Sequence, residues 1–151
     1  MKISVSKKQT SKIAKELAKT LRQAQGKKFF NKAVVIGLSG ELGSGKTAFC
    51  QSFAKALGVK EKVHSPTFVI MKKYPVVSSQ YSVLFHFDMY RIKNQKDIIT
   101  LGWKKIISDS RNIILVEWAE NIRKVFPKKH FWIKMSHLGK KSRGIDIKSV
   151  K

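Results

Sequence analysis

A glycine-rich loop between an apolar strand and a helix restricts the fold of this chain more than any other feature of its sequence. Residues 33–38 read AVVIGL, a continuous apolar run typical of a parallel strand that is buried on both faces. The loop GELGSGKT follows at residues 40–47, and the next residues carry apolar side chains at helical spacing as far as Gly58, which we expect to end the helix. A strand, a G-x-x-x-x-G-K-T loop and a helix in this order are typical of P-loop proteins.

Each fixed position of this loop has a chemical role in holding phosphate. Its three glycines permit backbone conformations that other residues disfavour, so the amides from about Leu42 to Thr47 can converge on phosphate oxygens at a helix N-terminus. We expect Lys46 to reach the terminal phosphates and the Thr47 hydroxyl to bind Mg²⁺. The expected ligand is therefore ATP or GTP. No Asn-Lys-x-Asp motif for reading guanine occurs, since residues 94–97 read NQKD, and this favours ATP.

Two carboxylates lie where a P-loop needs an acidic partner, at the ends of apolar strands. The run VLFHFD ends at Asp88, and IILVE ends at Glu117. In P-loop proteins such a residue holds Mg²⁺ or its water shell. His86 projects from the same face as Asp88, because side chains alternate along a strand. The chain has nine acidic residues, so two in this position favour a nucleotide site over ordinary strand-end acids.

Two further segments are candidates for the same site. Ser65-Pro66-Thr67 follows the P-loop helix, where switch proteins place a loop that senses the γ-phosphate. On spacing alone, a simple turn is the favoured interpretation of this segment. Trp118, next to Glu117, can stack on a base or pack in the core, and taken by itself the residue favours the core.

The order of elements predicts an α/β fold, a three-layer P-loop NTPase with a largely parallel central sheet flanked by helices. We expect residues 1–151 to form a single P-loop ATPase domain, since neither a repeat nor a low-complexity linker is visible. Besides the elements around the loop, the patterns predict a helix capped by Thr10, a helix over about Lys96 to Ile107, a short helix over Asn121–Val125, and strands over Ile3–Ser6, Phe68–Tyr74, Tyr81–Asp88, Asn112–Glu117, His130–Met135 and Gly144–Val150.

Charge and composition bear on location and partners. There are 32 basic and nine acidic residues, a formal net charge of +23, which is typical of proteins that meet nucleic acid. Only five of the basic residues are arginine, so a lysine-rich composition without a dedicated surface explains the charge equally well. No signal peptide or membrane-spanning run is evident, and the lone Cys50 cannot form an internal disulfide. We therefore expect a cytoplasmic protein that does not bind membranes.

Four motifs together, GELGSGKT, SPTF, HFDMYR and VEWAE, resemble the bacterial TsaE (YjeE) family. The resemblance covers about Thr10 to Glu120 and continues more loosely to the C-terminus. It implies an ATPase that uses ATP and Mg²⁺ and acts with TsaD- and TsaB-type partners in the N6-threonylcarbamoyladenosine (t6A) modification of adenosine 37 in tRNA. The ATPase of this family supports turnover of the complex without performing the transfer, so we expect slow basal hydrolysis that partners stimulate. The tRNA is reached through the complex, with direct contact to the basic surface left open.

The resemblance also implies roles for individual residues. Lys46, Asp88 and Glu117 would be catalytic, and Thr47 and Glu117 would bind the metal. Thr10 matches a threonine near the adenine, Ser65 to Thr67 a switch-like loop, and Arg143 a late arginine of the family. The implied nucleotide-binding residues are Thr10, Glu41, Leu42, Gly43, Ser44, Gly45, Lys46, Thr47, Ala48, Ser65, Thr67, Trp118 and Arg143.

The sequence departs from the family pattern at three places. Glu41 replaces the usual aspartate after the first P-loop glycine, and VEWAE lacks a proline that the family often has. After Leu101-Gly102 the family tends to be acidic, whereas Trp103 is followed here by Lys104 and Lys105. This reversal of charge affects a segment that we expect to contact the partner complex or tRNA.

Two other functions are compatible with a P-loop. A small-molecule kinase would need a lid with several arginines and a pocket for the phosphate acceptor, and the five arginines here are scattered. A nucleic-acid-binding module switched by nucleotide would agree with the charge, but no helix-turn-helix, zinc or RNA-reading aromatic motif is present.

Overall fold

The computed structural model describes residues 2–4, 6–24, 31–77 and 79–151, and its strands form one sheet. The strands are β1 (Lys2–Ser4), β2 (Val34–Ser39), β3 (Met71–Pro75), β4 (Val83–Asp88), β5 (Asn112–Glu117), β6 (His130–His137) and β7 (Arg143–Val150). The helices are α1 (Lys7–Gln23), α2 (Lys46–Leu57), α3 (Lys96–Thr100) and α4 (Trp103–Ser108), with a 3₁₀ segment over Ala119–Val125.

The described strands lie in the order β1-β7-β6-β2-β5-β4-β3. The four central strands, β6, β2, β5 and β4, are parallel, whereas β1, β7 and β3 pair antiparallel at the two sides. Every residue of β2 and β5 is buried, as expected for parallel strands covered on both faces. Asp88 pairs in register with Glu117, and Glu117 with Leu38. The carboxyl ends of β2, β4 and β5 therefore meet at one edge of the sheet, where open α/β folds bind their ligands.

Helices cover both faces of the sheet and complete the three layers. On one face α1 and α2 pack on a core that includes Phe49, Phe53 and Leu115, and on the other α3, α4 and the 3₁₀ segment pack around Phe87 and Trp103. This arrangement confirms the predicted three-layer class, with the parallel strands in its centre. Within the described ranges, the structure contains no helix with both the length and the apolarity needed to cross a membrane.

The alternation of β4 decides which of its side chains reach the site. Leu84 belongs to the core under α1 and α2, whereas Phe85 and Phe87 belong to the opposite core. His86 and Asp88 therefore share the face of Leu84, as the sequence predicted. That face is also the one covered by the P-loop helix α2.

Four predicted boundaries were wrong. Thr10 is not the N-cap of α1: Ser6 has the extended conformation of an N-cap and accepts a hydrogen bond from the Gln9 amide (3.2 Å), which places Thr10 inside the helix. The strand predicted from Phe68 begins at Met71. The helix predicted over about 96–107 is divided into α3 and α4 at Gly102, whose φ is +84°. The predicted strand Ile3–Ser6 is β1 over Lys2–Ser4, and Val5 lies outside the described residues.

Candidate nucleotide-binding site

The glycine loop joins the end of β2 to the start of α2 and has the backbone that its sequence predicts. Gly40, Gly43 and Gly45 have φ values of +140°, +74° and +100°. Gly45 is the N-cap of α2, and its carbonyl accepts a hydrogen bond from the Phe49 amide (2.9 Å). The free amides of the first turn of α2 therefore lie beside the loop, and this is the arrangement that binds anions at helix N-termini.

Lys46, the first residue of α2, is folded over the loop. Its Nζ donates hydrogen bonds to Gly40 O (2.6 Å), Glu41 O (2.8 Å) and Ser44 Oγ (3.3 Å). The same nitrogen lies 3.9 Å from the centre of the Trp118 ring, within reach of a cation–π interaction. Burial lowers the pKa of the Lys46 ammonium from its ordinary value, although nearby carboxylates, Glu117 first, act in the opposite direction.

Glu117 ends β5 beneath the loop, and its two carboxylate oxygens have different partners. Oε2 accepts a hydrogen bond from Thr47 Oγ1 (2.9 Å), and Oε1 lies 2.8 Å from His86 Nε2. Glu117 is 2% exposed and His86 is fully buried. The strand end therefore joins the P-loop threonine through one carboxylate oxygen and β4 through the other.

Asp88, at the end of β4, is held by the loop that follows α2. Its Oδ2 accepts hydrogen bonds from Thr67 Oγ1 (2.9 Å) and, at greater length, Ser65 Oγ (3.4 Å). The two hydroxyl oxygens of Ser65 and Thr67 are themselves 2.6 Å apart. The Tyr90 amide donates to Asp88 Oδ1 (2.9 Å), so both oxygens of this buried carboxylate are engaged.

Two adjoining pockets contain most of the residues predicted to bind nucleotide. One, of about 240 Å³, is lined by the loop together with Lys46, Thr47, Asp88, Glu117 and Trp118. The other, of about 360 Å³, lies on the far side of the loop. Its lining residues are Ser6, Lys7, Thr10, Gly43, Ser44, Gly45, Ala48, Lys140, Lys141 and Arg143. Gly43, Gly45 and Ala48 line both pockets, so a ligand with a phosphate chain on the loop can extend from one into the other.

The remaining predicted residues lie at the margin of these pockets. Leu42 lines the smaller pocket, although it is 76% exposed. The exposed Glu41 lines neither pocket, and its carbonyl accepts a hydrogen bond from Lys46. Ser65 and Thr67 reach the site through Asp88 and line neither pocket.

Sequence reasoning missed some contributors to the site. It did not identify the basic residues that line the larger pocket beside Thr10 and Arg143, namely Lys7, Lys140 and Lys141. It also gave no role to His86, although the same-face spacing with Asp88 pointed toward the site. Lysines occur throughout this sequence, so nothing local to Lys7, Lys140 or Lys141 marks them out.

The donor set at the loop fits a magnesium ion. Thr47 Oγ1 and Glu117 Oε2 are hydroxyl and carboxylate oxygens 2.9 Å apart, next to the loop amides. Mg²⁺ prefers oxygen ligands of this kind and usually binds through one or two protein groups together with phosphates. The strand–loop–helix unit and the acids at the neighbouring strand ends together define a P-loop nucleotide-binding protein.

Comparison with known proteins narrows this class to one family. A model of the family described as "Threonylcarbamoyl adenosine biosynthesis protein TsaE" matches residues 4–145. Proteins named "tRNA threonylcarbamoyladenosine biosynthesis protein TsaE" from Rickettsia conorii and Bacillus subtilis are each 34% identical, over 78% and 77% of this chain. The crystal structure of YdiB from Bacillus subtilis superimposes with a TM-score of 0.70 at 28% identity, covering 99% of this chain and 84% of that one. The chain belongs to the TsaE family.

The matched regions are shorter than the relatives themselves. They span 60% of the Rickettsia conorii protein, 64% of the Rickettsia felis protein and 70% of the Bacillus subtilis protein.

Proposed function

We propose that this chain is a Mg²⁺-dependent ATPase of tRNA t6A biosynthesis. The observation that carries the proposal is the hydrogen bond between Thr47 Oγ1 and Glu117 Oε2, because it joins the P-loop hydroxyl to a strand-end acid as a metal–phosphate site requires. Membership of the TsaE family supports the pathway. The single sheet and its two helical layers support one ATPase domain over residues 1–151.

Different residues of the site have different roles in ATP hydrolysis. The loop amides and Lys46 bind the terminal phosphates and neutralise the charge that develops on them. Thr47 and Glu117 would hold Mg²⁺, which would supply positive charge to the phosphates. Asp88 orients the water that attacks the γ-phosphorus as the bond to the β-phosphate oxygen breaks. ADP and inorganic phosphate are the products.

The larger pocket supports ATP as the nucleotide. It adjoins the loop on the side away from Glu117 and is lined by Thr10 and Arg143. We assign the adenine and ribose to this pocket, since the phosphate chain is then directed toward Lys46. Lys7, Lys140 and Lys141 add positive charge around the same ligand.

Basal turnover is expected to be slow. Both carboxylate oxygens of Asp88 already accept hydrogen bonds, from Thr67 and Ser65 on one side and from the Tyr90 amide on the other. Oδ2 accepts from both hydroxyls of the 65–67 loop, so presenting this oxygen to a water requires that loop to rearrange. We propose that TsaD- and TsaB-type partners favour that rearrangement, and that tRNA is reached through this cytoplasmic complex.

The test is ATP hydrolysis by the wild type and by Lys46→Ala and Glu117→Ala, measured alone and with the partner proteins and tRNA. Loss of one such electrostatic contact costs about a hundredfold or more in rate, so we expect both variants to lose that much activity. Lys55→Ala, on an exposed position of the same helix, and Glu61→Ala, at an exposed position in the loop after α2, are controls and should keep it. Wild-type rates in Lys46→Ala and Glu117→Ala would overturn the site. Phosphoryl transfer to a metabolite, or nucleotide binding without hydrolysis, would overturn the ATPase function.

A further inference from the structure

His86 is a fully buried imidazole that forms a hydrogen bond with Glu117. Its Nε2 lies 2.8 Å from Glu117 Oε1, while its Nδ1 is buried and has no hydrogen-bond partner among the described residues. A carboxylate can only accept hydrogen bonds. The ring therefore carries its proton on Nε2 and donates it to Oε1.

This hydrogen bond leaves the two oxygens of Glu117 with separate tasks. Oε1 accepts a hydrogen bond from His86 on β4, and Oε2 accepts one from Thr47 on α2. We propose that His86 is a positioning residue, which fixes the rotation of the Glu117 carboxylate so that Oε2 alone is presented to the metal. The inference rests on the proposed function, because it assigns a partner to the metal ligand of that site.

The surroundings of the ring favour this role over simple packing. His86 lies in register with Leu115 on the neighbouring strand, and the position two residues before it on the same face is Leu84. An apolar side chain would suit such a position, and burying an imidazole there has a cost that only its hydrogen bond to Glu117 offsets. Removing the ring would leave Oε1 buried without this donor, so the plane of the carboxylate would no longer be fixed relative to Thr47.

A second metal site is the competing interpretation of this cluster. Cys50, one turn after Thr47 on α2, places its sulfur within 4.8 Å of the ligand atoms of His86 and Glu117, which together could hold a soft metal ion. Two ligands on one tetrahedral zinc, with bonds of about 2.0–2.1 Å, would be roughly 3.3 Å apart. The 2.8 Å between His86 Nε2 and Glu117 Oε1 is the length of a charge-assisted hydrogen bond. The geometry therefore favours positioning over shared coordination.

The experiment measures metal affinity directly, with Mn²⁺ as the probe. Free Mn²⁺ is followed by electron paramagnetic resonance in the presence of protein and a non-hydrolysable ATP analogue. Loss of a group that orients a metal ligand typically weakens metal binding ten- to a hundredfold, and we expect His86→Leu to do so. His86→Gln places an amide N–H near the position of Nε2 and should restore affinity to within a few-fold. His86→Asn places its amide near Nδ1 and should not.

Two controls separate positioning from damage to the fold. Affinity for the nucleotide analogue in EDTA should be the same in all four proteins, and denaturant unfolding verifies that each variant is folded. The Mg²⁺ concentration that gives half-maximal ATPase activity should shift by the same factor as the Mn²⁺ affinity. If His86→Leu does not fold, the comparison of the Gln and Asn variants decides the question alone.

Distinct outcomes would contradict the inference and the proposed function. Wild-type Mn²⁺ affinity in His86→Leu, or equal losses in the Gln and Asn variants, would overturn the positioning role. Tight Zn²⁺ binding that is abolished by Cys50→Ala would overturn it in favour of a second metal site. A wild-type protein that binds no Mn²⁺ with the nucleotide analogue would instead overturn the Mg²⁺-dependent ATPase.

Discussion

Cys50 illustrates how far the environment of the site changes a single side chain. Its thiol is fully buried on α2, and burial, with the Glu117 carboxylate as the next cause, raises its pKa well above the ordinary value. Because the thiolate is the reactive form, we expect this buried group to be unreactive as long as the protein is folded. The Cys50 thiol should therefore not react with thiol reagents in the native protein.

We predict that Cys50 in the native protein does not react with a thiol reagent such as DTNB at pH 8. In denaturant, the same thiol should react fully, with one equivalent per chain, because unfolding returns it to water.

The raised pKa of Cys50 also makes the stability of the protein depend on pH. The thiol contributes stability below its unfolded pKa of about 8.5, and this is lost as pH rises above that value. Unfolding free energies of the wild type should therefore decrease more between pH 8 and 10 than those of Cys50→Ala. Rapid DTNB labelling of the folded protein would contradict the prediction that the native thiol does not react.

The sequence predicted the site residues that lie in contiguous motifs. It missed those that the pairing of strands brings together. Lys46 and Thr47 follow from a loop whose spacing is fixed by the backbone. Glu117 follows from its place after four apolar residues. The contact of His86 with Glu117 depends on the register of β4 against β5, which sequence periodicity does not give. Lys7 and Lys140 are far apart in the chain and meet only because β7 returns to pair with β1.

Among the secondary-structure elements, the predictions succeeded for the buried strands and failed for the exposed segment before β3. The buried strands β2 and β5 were predicted almost to the residue. Phe68 and Val69 have strand-like side chains, yet they are 84% and 58% exposed in a turn. In that turn the Pro66 carbonyl accepts hydrogen bonds from the Val69 and Ile70 amides. Local hydrogen bonding thus overrides β propensity at the margin of the nucleotide site.

The end of α2 provides a prediction about the stability of the P-loop helix. Gly58 has a φ of +118°, and a Cβ added there would lie 2.4 Å from Val77 O. Left-handed backbone costs other residues about 1–2 kcal/mol, and the close carbonyl adds to this cost, so Gly58→Ala should lower the free energy of unfolding by about 2–4 kcal/mol. Chemical denaturation measures the loss.

Gly102 offers the matched control. Its φ is +84°, but no described atom lies within 4 Å of an added Cβ, so Gly102→Ala should cost only the backbone strain of about 1–2 kcal/mol. Equal losses of unfolding free energy in Gly58→Ala and Gly102→Ala would show that the nearby Val77 carbonyl does not add to the cost at Gly58.

The arrangement of the complete sheet was beyond what the sequence could predict. The three-layer class follows from alternating apolar strands and amphipathic helices, and it was confirmed. The antiparallel edges and the strand order depend on which surfaces bury best together, and this is a property of all the strands at once. The pocket beside Thr10 exists because of that order, since β7 and the residues before it close one side of it.

The net charge of +23 carries the last prediction. Basic residues line the pocket beside Thr10, as Lys140 and Lys141 do, and also a separate groove that includes Lys104 and Lys128. A positive surface spread this widely should bind RNA mainly through counterion release. We therefore expect the isolated chain to bind tRNA at low salt with an affinity that falls linearly on a log–log plot against salt, by about 0.7–0.9 per phosphate neutralised.

Charge-removing pairs of substitutions test whether one face is dedicated to this binding. Lys104→Ala with Lys105→Ala removes the unusual basic segment, and Lys60→Ala with Lys62→Ala removes two exposed lysines from the loop after α2. For a diffuse surface, each pair should lower the salt slope by at most about two and reduce affinity similarly, as measured by filter binding at several salt concentrations. Heparin should then compete as well as unrelated RNA does. A much larger loss in the Lys104 and Lys105 pair, together with resistance to heparin, would contradict the diffuse surface. That outcome would instead identify the segment after Gly102 as the part of the chain that contacts tRNA.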